Sequence, residues 1–101
     1  MDSINEIIIE IRKYTKLKND LKIILGRLNN IINYISSCKK KLNDNYLVNN
    51  DKSKLSIRFD DILNNYKNSY KKISNNVIPQ INNNIITLRK RLSLLQNNPS
   101  I

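Results

Sequence analysis

The chain has 101 residues, a formal net charge of +10, no histidine, and Cys38 as its single cysteine. This length supports one small domain, residues 1–101, with a thin core, to which a partner could add much stability. The composition excludes an internal disulfide and lacks the commonest metal ligand and general base, so we expect no enzyme activity, cofactor or metal site.

An unbroken alternation of three- and four-residue steps predicts a first helix over about residues 3–42. The mean step is close to 3.5 residues, the value of coiled coils. Asp2 or Ser3 can cap its start, and Glu6 follows Ser3 at the spacing of a capping box. The inward row is Ile4, Ile7, Ile11, Tyr14, Lys18, Leu21, Leu25, Leu28, Ile32, Ile35, Lys39 and Leu42.

A second apolar row lies beside the first, with its members seven residues apart. It consists of Leu17, Ile24, Ile31 and Cys38. A two-helix hairpin needs only one line of contact between its helices, here called the seam. An apolar stripe this wide therefore predicts burial against two neighbours, as in a four-helix bundle. We favour an oligomer or partner-helix surface here. The alternative is an apolar surface covered by long lysine side chains.

The helical spacing fails in the middle of the chain, which predicts a turn over about residues 43–55. Asparagine and aspartate, which favour turns, stand on both sides of Tyr46, Leu47 and Val48. Ser53 or Ser56 is placed to cap the next helix.

A second helix is predicted over about residues 56–96. Pro79 falls inside it, removes one backbone hydrogen bond and clashes with the carbonyl of Asn75. We therefore expect a kink or short break just before Pro79. The inward row is Phe59, Leu63, Tyr66, Tyr70, Ile73, Val77, Ile81, Ile85, Leu88, Leu92 and Leu95.

Charges favour an antiparallel arrangement, in which residues whose numbers add up to about 100 lie side by side. The Lys39–Lys41 run then meets Asp60–Asp61, and Glu6 and Glu10 meet Arg89–Arg91. Each exposed pair contributes only ~0–1 kcal/mol, so these pairs select the register rather than drive folding. The predicted fold is all-α: an antiparallel, coiled-coil-like two-helix hairpin that completes a four-helix bundle with a partner or a second copy.

The positive charge is compatible with nucleic-acid binding. From the sequence, however, the basic residues are spread around the molecule, and the tyrosines lie on or near the inward rows and offer no stacking platform. A lysine-rich solvated surface is therefore favoured over nucleic acid. The longest apolar run, Ile7–Ile9, is far too short for a membrane span, and the start lacks the basic region of a secretory signal.

The layout resembles the WXG-motif superfamily of small helical hairpins, most closely the helical partners of LXG toxins in Gram-positive bacteria. The segment from Leu42 to Phe59 resembles the region that holds the family's Trp-x-Gly turn and a following aromatic. The stretch from Tyr66 to Tyr70, continuing through Leu88 and Leu95, resembles the long closing helix. Tyr46, Leu47 and Val48 replace the Trp-x-Gly signature, and the end of the chain lacks the aromatic-x-x-x-acid export signal.

The resemblance implies a non-catalytic adaptor or targeting chaperone that binds the N-terminal helical domain of an LXG toxin for type VII secretion. It also implies a chain made in the cytoplasm and, if exported, exported with its partner and without a cleaved signal peptide. The alternatives are a self-associating coiled-coil structural or regulatory protein and a basic nucleic-acid-binding hairpin.

Overall fold

The computed structural model describes the backbone of residues 3–43 and 49–97 and the side chains of residues 3–42 and 53–97. Helix α1 spans Ile4–Asn43, α2 spans Asn49–Lys72 and α3 spans Ile78–Asn97, and a π turn, Ile73–Val77, joins α2 to α3. These described residues contain no strand. The segment from α2 through α3 is one continuous arm packed along α1, in a rod of 78 × 16 × 15 Å. The prediction of an all-helical hairpin with two long helices is confirmed.

The start of α1 is held by the predicted capping box. The Glu6 backbone N–H donates to the Ser3 hydroxyl over 3.2 Å, and the Ser3 N–H donates to the Glu6 carboxylate over 3.3 Å. Two backbone donors that a helix start would leave unpaired are thereby satisfied. The Glu6 carboxylate therefore takes part in the cap, and its encounter with the arginine-rich run of the second arm stays a prediction.

The second arm begins at Asn49, earlier than the start near residue 56 that the sequence suggested. Asparagine and aspartate are favourable both in turns and at the first positions of helices, so a cluster of them does not say which structure it belongs to. The serines predicted as caps lie inside the helix, and Ser56 is half-buried. The predicted turn residues Tyr46, Leu47 and Val48 lie outside the described residues.

The disturbance predicted near Pro79 takes the form of the π turn. Its wider winding is visible in the bond from the Ile78 N–H to the Ile73 carbonyl, five residues back. The inward row takes three successive four-residue steps here, from Ile73 to Ile85, instead of alternating threes and fours. A π turn adds one residue to the local winding, so it keeps this row facing α1 while the helix accommodates a proline.

The core is a single seam between α1 and the second arm, formed by the two predicted inward rows. Its buried members are Ile7, Leu42, Leu63, Ile81, Ile85 and Leu88. The other row members are half-buried, except Ile4 and Leu95 at the open end, which are 38% and 37% exposed. Full burial of such a side chain contributes roughly 1.5–3 kcal/mol, so the seam stabilises the hairpin without forming a thick core.

An ion pair between Lys39 and Asp60 joins the last part of α1 to the second arm in the predicted register. At the other end, Glu10 and Arg91 line one recess. Both observations place residues of α1 beside residues of the second arm as the antiparallel charge pattern predicted. Asp61, the neighbour of Asp60, is exposed.

Candidate interaction surfaces

The seam divides the surface of the hairpin into two flanks, and three recesses show which residues share a flank. In an antiparallel helix pair, equivalent positions of the two helices meet on the same side. Glu10 and Arg91 each directly precede a seam residue and line one recess. Thr15 and Asn82 each directly follow a seam residue and line another. The two flanks can therefore be read from each residue's position relative to the seam.

One flank, here called the apolar flank, carries the second apolar row of α1. Leu17, Ile24 and Ile31 are 46%, 41% and 38% exposed, and Cys38 is half-buried. All four continue the row of Glu10 at seven-residue intervals, so they lie on its side of the seam. The hairpin leaves the side chains that were predicted to bind a partner largely outside its own core.

The second arm extends the apolar flank with residues that the sequence analysis missed. Leu55 and Ile62 directly precede the half-buried Ser56 and the seam residue Leu63, and they are 37% and 42% exposed. For Ile62, the position just before an inward residue, the same as that of Leu17 and Ile24, was the available signal. Tyr34, 71% exposed, lies three residues beyond Ile31 and widens the apolar surface.

The recess on the apolar flank has a volume of 250 Å³ and combines both signs of charge. Its walls are Glu10, Tyr14, Asn84, Thr87, Leu88 and Arg91. An acidic and a basic group side by side partly neutralise each other's field, so this recess has no strong preference for a charged ligand.

The opposite flank, here called the basic flank, has two recesses lined by cations and amides without a carboxylate. The first, of 350 Å³, is lined by Thr15, Lys18, Asn19, Asn82, Ile85, Ile86 and Arg89. The second, of 220 Å³, is lined by Asn29, Ile32, Lys67, Tyr70 and Lys71.

Further cations lie on the rows of these recess residues. Lys22 stands between Thr15 and Asn29 at seven-residue intervals, and Arg12 and Lys40 share the row of Asn19. The basic flank therefore comprises Arg12, Lys18, Lys22, Lys40, Lys67, Lys71 and Arg89. The antiparallel register places these seven cations on one side of the seam. Other cations, among them Lys13, Arg27, Lys41, Lys72 and Arg91, lie outside this flank, so the basic residues as a whole remain spread around the molecule.

Carboxylates are scarce on the basic flank. Among the described side chains, Asp60 lies on this flank, where it pairs with Lys39, and Asp61 is exposed on the adjoining outer face of the second arm. Glu6, Glu10 and Asp20 lie on the other side, in the row of Glu10 or the row next to it. Asp20 accepts a hydrogen bond from Lys16 over 2.9 Å, which raises the pKa of the lysine above its ordinary value.

Within residues 3–43 and 49–97, no group of three or more His, Cys, Asp or Glu side chains could hold a metal ion. The hydroxyl of Thr15 donates to the Ile11 carbonyl over 2.8 Å and that of Thr87 to Asn83 over 3.0 Å, so these groups serve the helix backbone. Phe59, predicted as part of the turn signature, is a half-buried seam residue.

No protein-family model, no curated protein and no solved structure matches this chain. Among the described residues, no helix has an apolar stretch long enough to cross a bilayer. Interpretation of the two flanks therefore depends on their own chemistry.

Proposed function

We propose that the chain is a non-catalytic helical adaptor that packs its apolar flank against helices of a larger protein and completes a four-helix bundle. The observation that carries the proposal is the exposure of Leu17, Ile24 and Ile31, between 38% and 46%, in a row that the hairpin does not need. Burying such a row on a second helical pair removes apolar surface from water at roughly 25 cal/mol per Å².

The layout also suggests the identity of the partner. Following the resemblance to LXG-toxin partners, we propose that it is the N-terminal helical domain of such a toxin and that the complex is delivered to a type VII secretion machine. The net charge of +10 suits a partner with an acidic surface, because complementary charge speeds association and suppresses wrong partners.

The test is co-expression with a toxin-like protein that has a long helical N-terminus, followed by measurement of complex mass in solution. The double variant Ile24→Lys with Ile31→Lys should abolish the complex, because it places two charges in the centre of the buried row. Its circular dichroism should stay helical, since both side chains lie outside the seam.

The matched control is Ile57→Lys with Ile86→Lys. These isoleucines are 62% and 48% exposed, and neither lies on the apolar flank. The control should bind like the unmodified chain. Equal loss in both variants, or an intact complex in the apolar-flank variant, contradicts the use of this flank.

Self-association is the second candidate function, and the charges bordering the apolar flank favour it. The row just outside Leu17 and Ile24 reads Glu6, Lys13, Asp20, Arg27, Tyr34 and Lys41. If two copies of α1 pack antiparallel about Ile24, Asp20 faces Arg27 and Glu6 faces Lys41 of the second copy. A shift of seven residues instead sets Arg27 against Arg27 or Asp20 against Asp20, so the charges select one register.

Charge exchange tests this candidate. Asp20→Arg alone and Arg27→Asp alone should each weaken dimerisation, measured by sedimentation of the pure chain, because each creates like-charge pairs on both sides of the two-fold axis. The double variant should restore the dimer. A monomer at all concentrations, or a double variant as weak as the singles, rules out this arrangement.

A further inference from the structure

The basic flank has the features of a surface for nucleic-acid phosphates. Its recesses combine ammonium or guanidinium groups with side-chain amides: Lys18, Asn19, Asn82 and Arg89 in the first, and Asn29, Lys67 and Lys71 in the second. Lysine, arginine and asparagine are among the side chains that contact phosphate oxygens in protein–DNA interfaces. The two recesses lie on the same side of the seam, so one extended ligand can reach both.

The spacing of the cations also suits a polymer. Along α1, Arg12, Lys18, Lys22 and Lys40 mark a row about 42 Å long at ~1.5 Å per residue. Asn29 and Ile32 lie between Lys22 and Lys40 along α1, and they share a recess with Lys67 and Lys71 of the second arm. The two lysines of the second arm therefore lie between Lys22 and Lys40 along the axis of the hairpin. The result is a line of positive charge along a straight hairpin, with successive members roughly 6–10 Å apart along the axis.

The charges of this row are not cancelled by the hairpin itself. None of Lys18, Lys22, Lys67, Lys71 and Arg89 forms an ion pair with a carboxylate among the described residues. Lys39 differs from these cations, because its charge is paired with Asp60. These charges all have the same sign, and they lie beside the apolar seam, which has a low dielectric constant. The arrangement focuses a positive potential along one side of the molecule.

The alternatives among anionic partners fit less well. Membrane-surface helices insert a continuous apolar face. Here the large exposed apolar residues near the cations are interspersed with charged and amide side chains; they are Ile9, Ile23, Ile57 and Ile86. Single strands are usually held by aromatic stacking, and the recesses of this flank offer Tyr70 alone, which is half-buried. Contacts to the backbone of a duplex need neither insertion nor stacking.

We propose that the basic flank binds the phosphate backbone of double-stranded nucleic acid without reading its sequence. This surface lies opposite the apolar flank, so the inference is independent of the adaptor function. It also gives the hairpin the geometry to hold a protein partner on one flank and a duplex on the other.

The experiment measures binding of a fluorescent duplex of about 20 base pairs, longer than the basic row, at several salt concentrations. The flank variant combines Lys18→Gln, Lys67→Gln, Lys71→Gln and Arg89→Gln. The control combines Lys13→Gln, Lys54→Gln, Lys72→Gln and Arg58→Gln, none of which lines the two basic-flank recesses. Both variants lose four positive charges, so a difference between them reports position rather than net charge.

We expect the flank variant to lose about tenfold or more in affinity and the slope of log K against log salt to fall by about 3 to 4, close to one for each lost phosphate contact. The control should keep most of the duplex affinity and most of the salt dependence. Circular dichroism of the two variants checks that the hairpin is intact.

Equal losses in both variants overturn the proposal, because they show attraction to net charge alone. Tighter binding of a single strand of the same length overturns the assignment to duplex. Binding to vesicles rich in phosphatidylserine, with no duplex binding, assigns the row to a lipid surface instead. The adaptor proposal is tested separately, since Ile24→Lys with Ile31→Lys should leave duplex affinity unreduced.

Discussion

The two flanks of the hairpin share one seam and the same two arms, yet they expose different chemistry. One carries Leu17, Ile24 and Ile31 beside a row of mixed acids and bases, and the other carries lysines and arginines over amide-lined recesses. The difference arises mainly from a single step in position, directly before or directly after an inward residue; Lys18, itself an inward residue, joins the basic flank by lining its first recess. A two-helix hairpin can therefore hold two separate interaction surfaces without any additional element.

At the end of the second arm, the rotation of the helix about its axis decides which flank a residue belongs to. Arg89 lines a recess on the basic flank, whereas Arg91, two residues later, lines the recess on the apolar flank. Their placement follows from the π turn, because one extra residue in the winding rotates α3 by about 100° relative to an uninterrupted α-helix.

The largest expected effect comes from breaking the seam that both flanks share. Ile81 is 5% exposed, and Ile81→Ala should lower the free energy of unfolding by about 2–5 kcal/mol through lost burial and a residual cavity. Ile86, 48% exposed, serves as control, and Ile86→Ala should change that free energy by about 0.5 kcal/mol or less. Urea unfolding measures both. A loss at Ile86 as large as that at Ile81 would mean that the basic flank belongs to the core.

A smaller effect is expected at Pro79. Pro79→Ala should raise the free energy of unfolding by about 1–3 kcal/mol, since alanine restores a backbone donor and has a higher helix propensity than proline. The π turn should persist, because the four-residue steps from Ile73 to Ile85 require it. An experimental structure of the variant checks this. A regular α-helix there, with Arg89 and Arg91 moved to other sides of the seam, would show that proline alone sets the two flanks.

The ion pair at the edge of the basic flank should have a modest effect. Asp60→Lys replaces the attraction to Lys39 with repulsion and should lower the melting temperature, more at low salt than at high salt. The pair contributes less than about 1 kcal/mol to the free energy of unfolding, because Lys39 and Asp60 are 30% and 50% exposed and solvent screens their charges. Asp61→Lys makes the same charge change on an exposed neighbour. Similar melting curves for both variants at low salt would argue against the register.

The smallest effect belongs to Lys16, beside the apolar flank. Its hydrogen bond and attraction to Asp20 raise its pKa in the folded chain, so the stability it contributes is present below the unfolded value of about 10.5 and is lost as pH rises through the folded pKa. The difference in helicity between the unmodified chain and Lys16→Gln should accordingly shrink above that pH. A constant difference across the range would show that the pair contributes nothing measurable.

Much of the fold could be predicted because the inward rows are strongly periodic. The seam from Ile7 to Leu42, the capping box of Ser3 and Glu6, and the antiparallel register were all readable from spacing and charge. The beginning of the second arm could not be read, because Asn49 and its neighbours suit a turn and a helix start equally well.

The sequence by itself determined the seam and the exposed row of Leu17, Ile24 and Ile31, since helical periodicity assigns each residue of one helix to a face. Tertiary structure decided which faces of different helices adjoin. Lys18 and Arg89 are far apart in the chain and become neighbours only after the arms pack and the π turn sets the phase of α3. Charge grouping across two helices depends on which side of the seam each residue of α3 faces, and periodicity within one helix carries no information about the opposing helix.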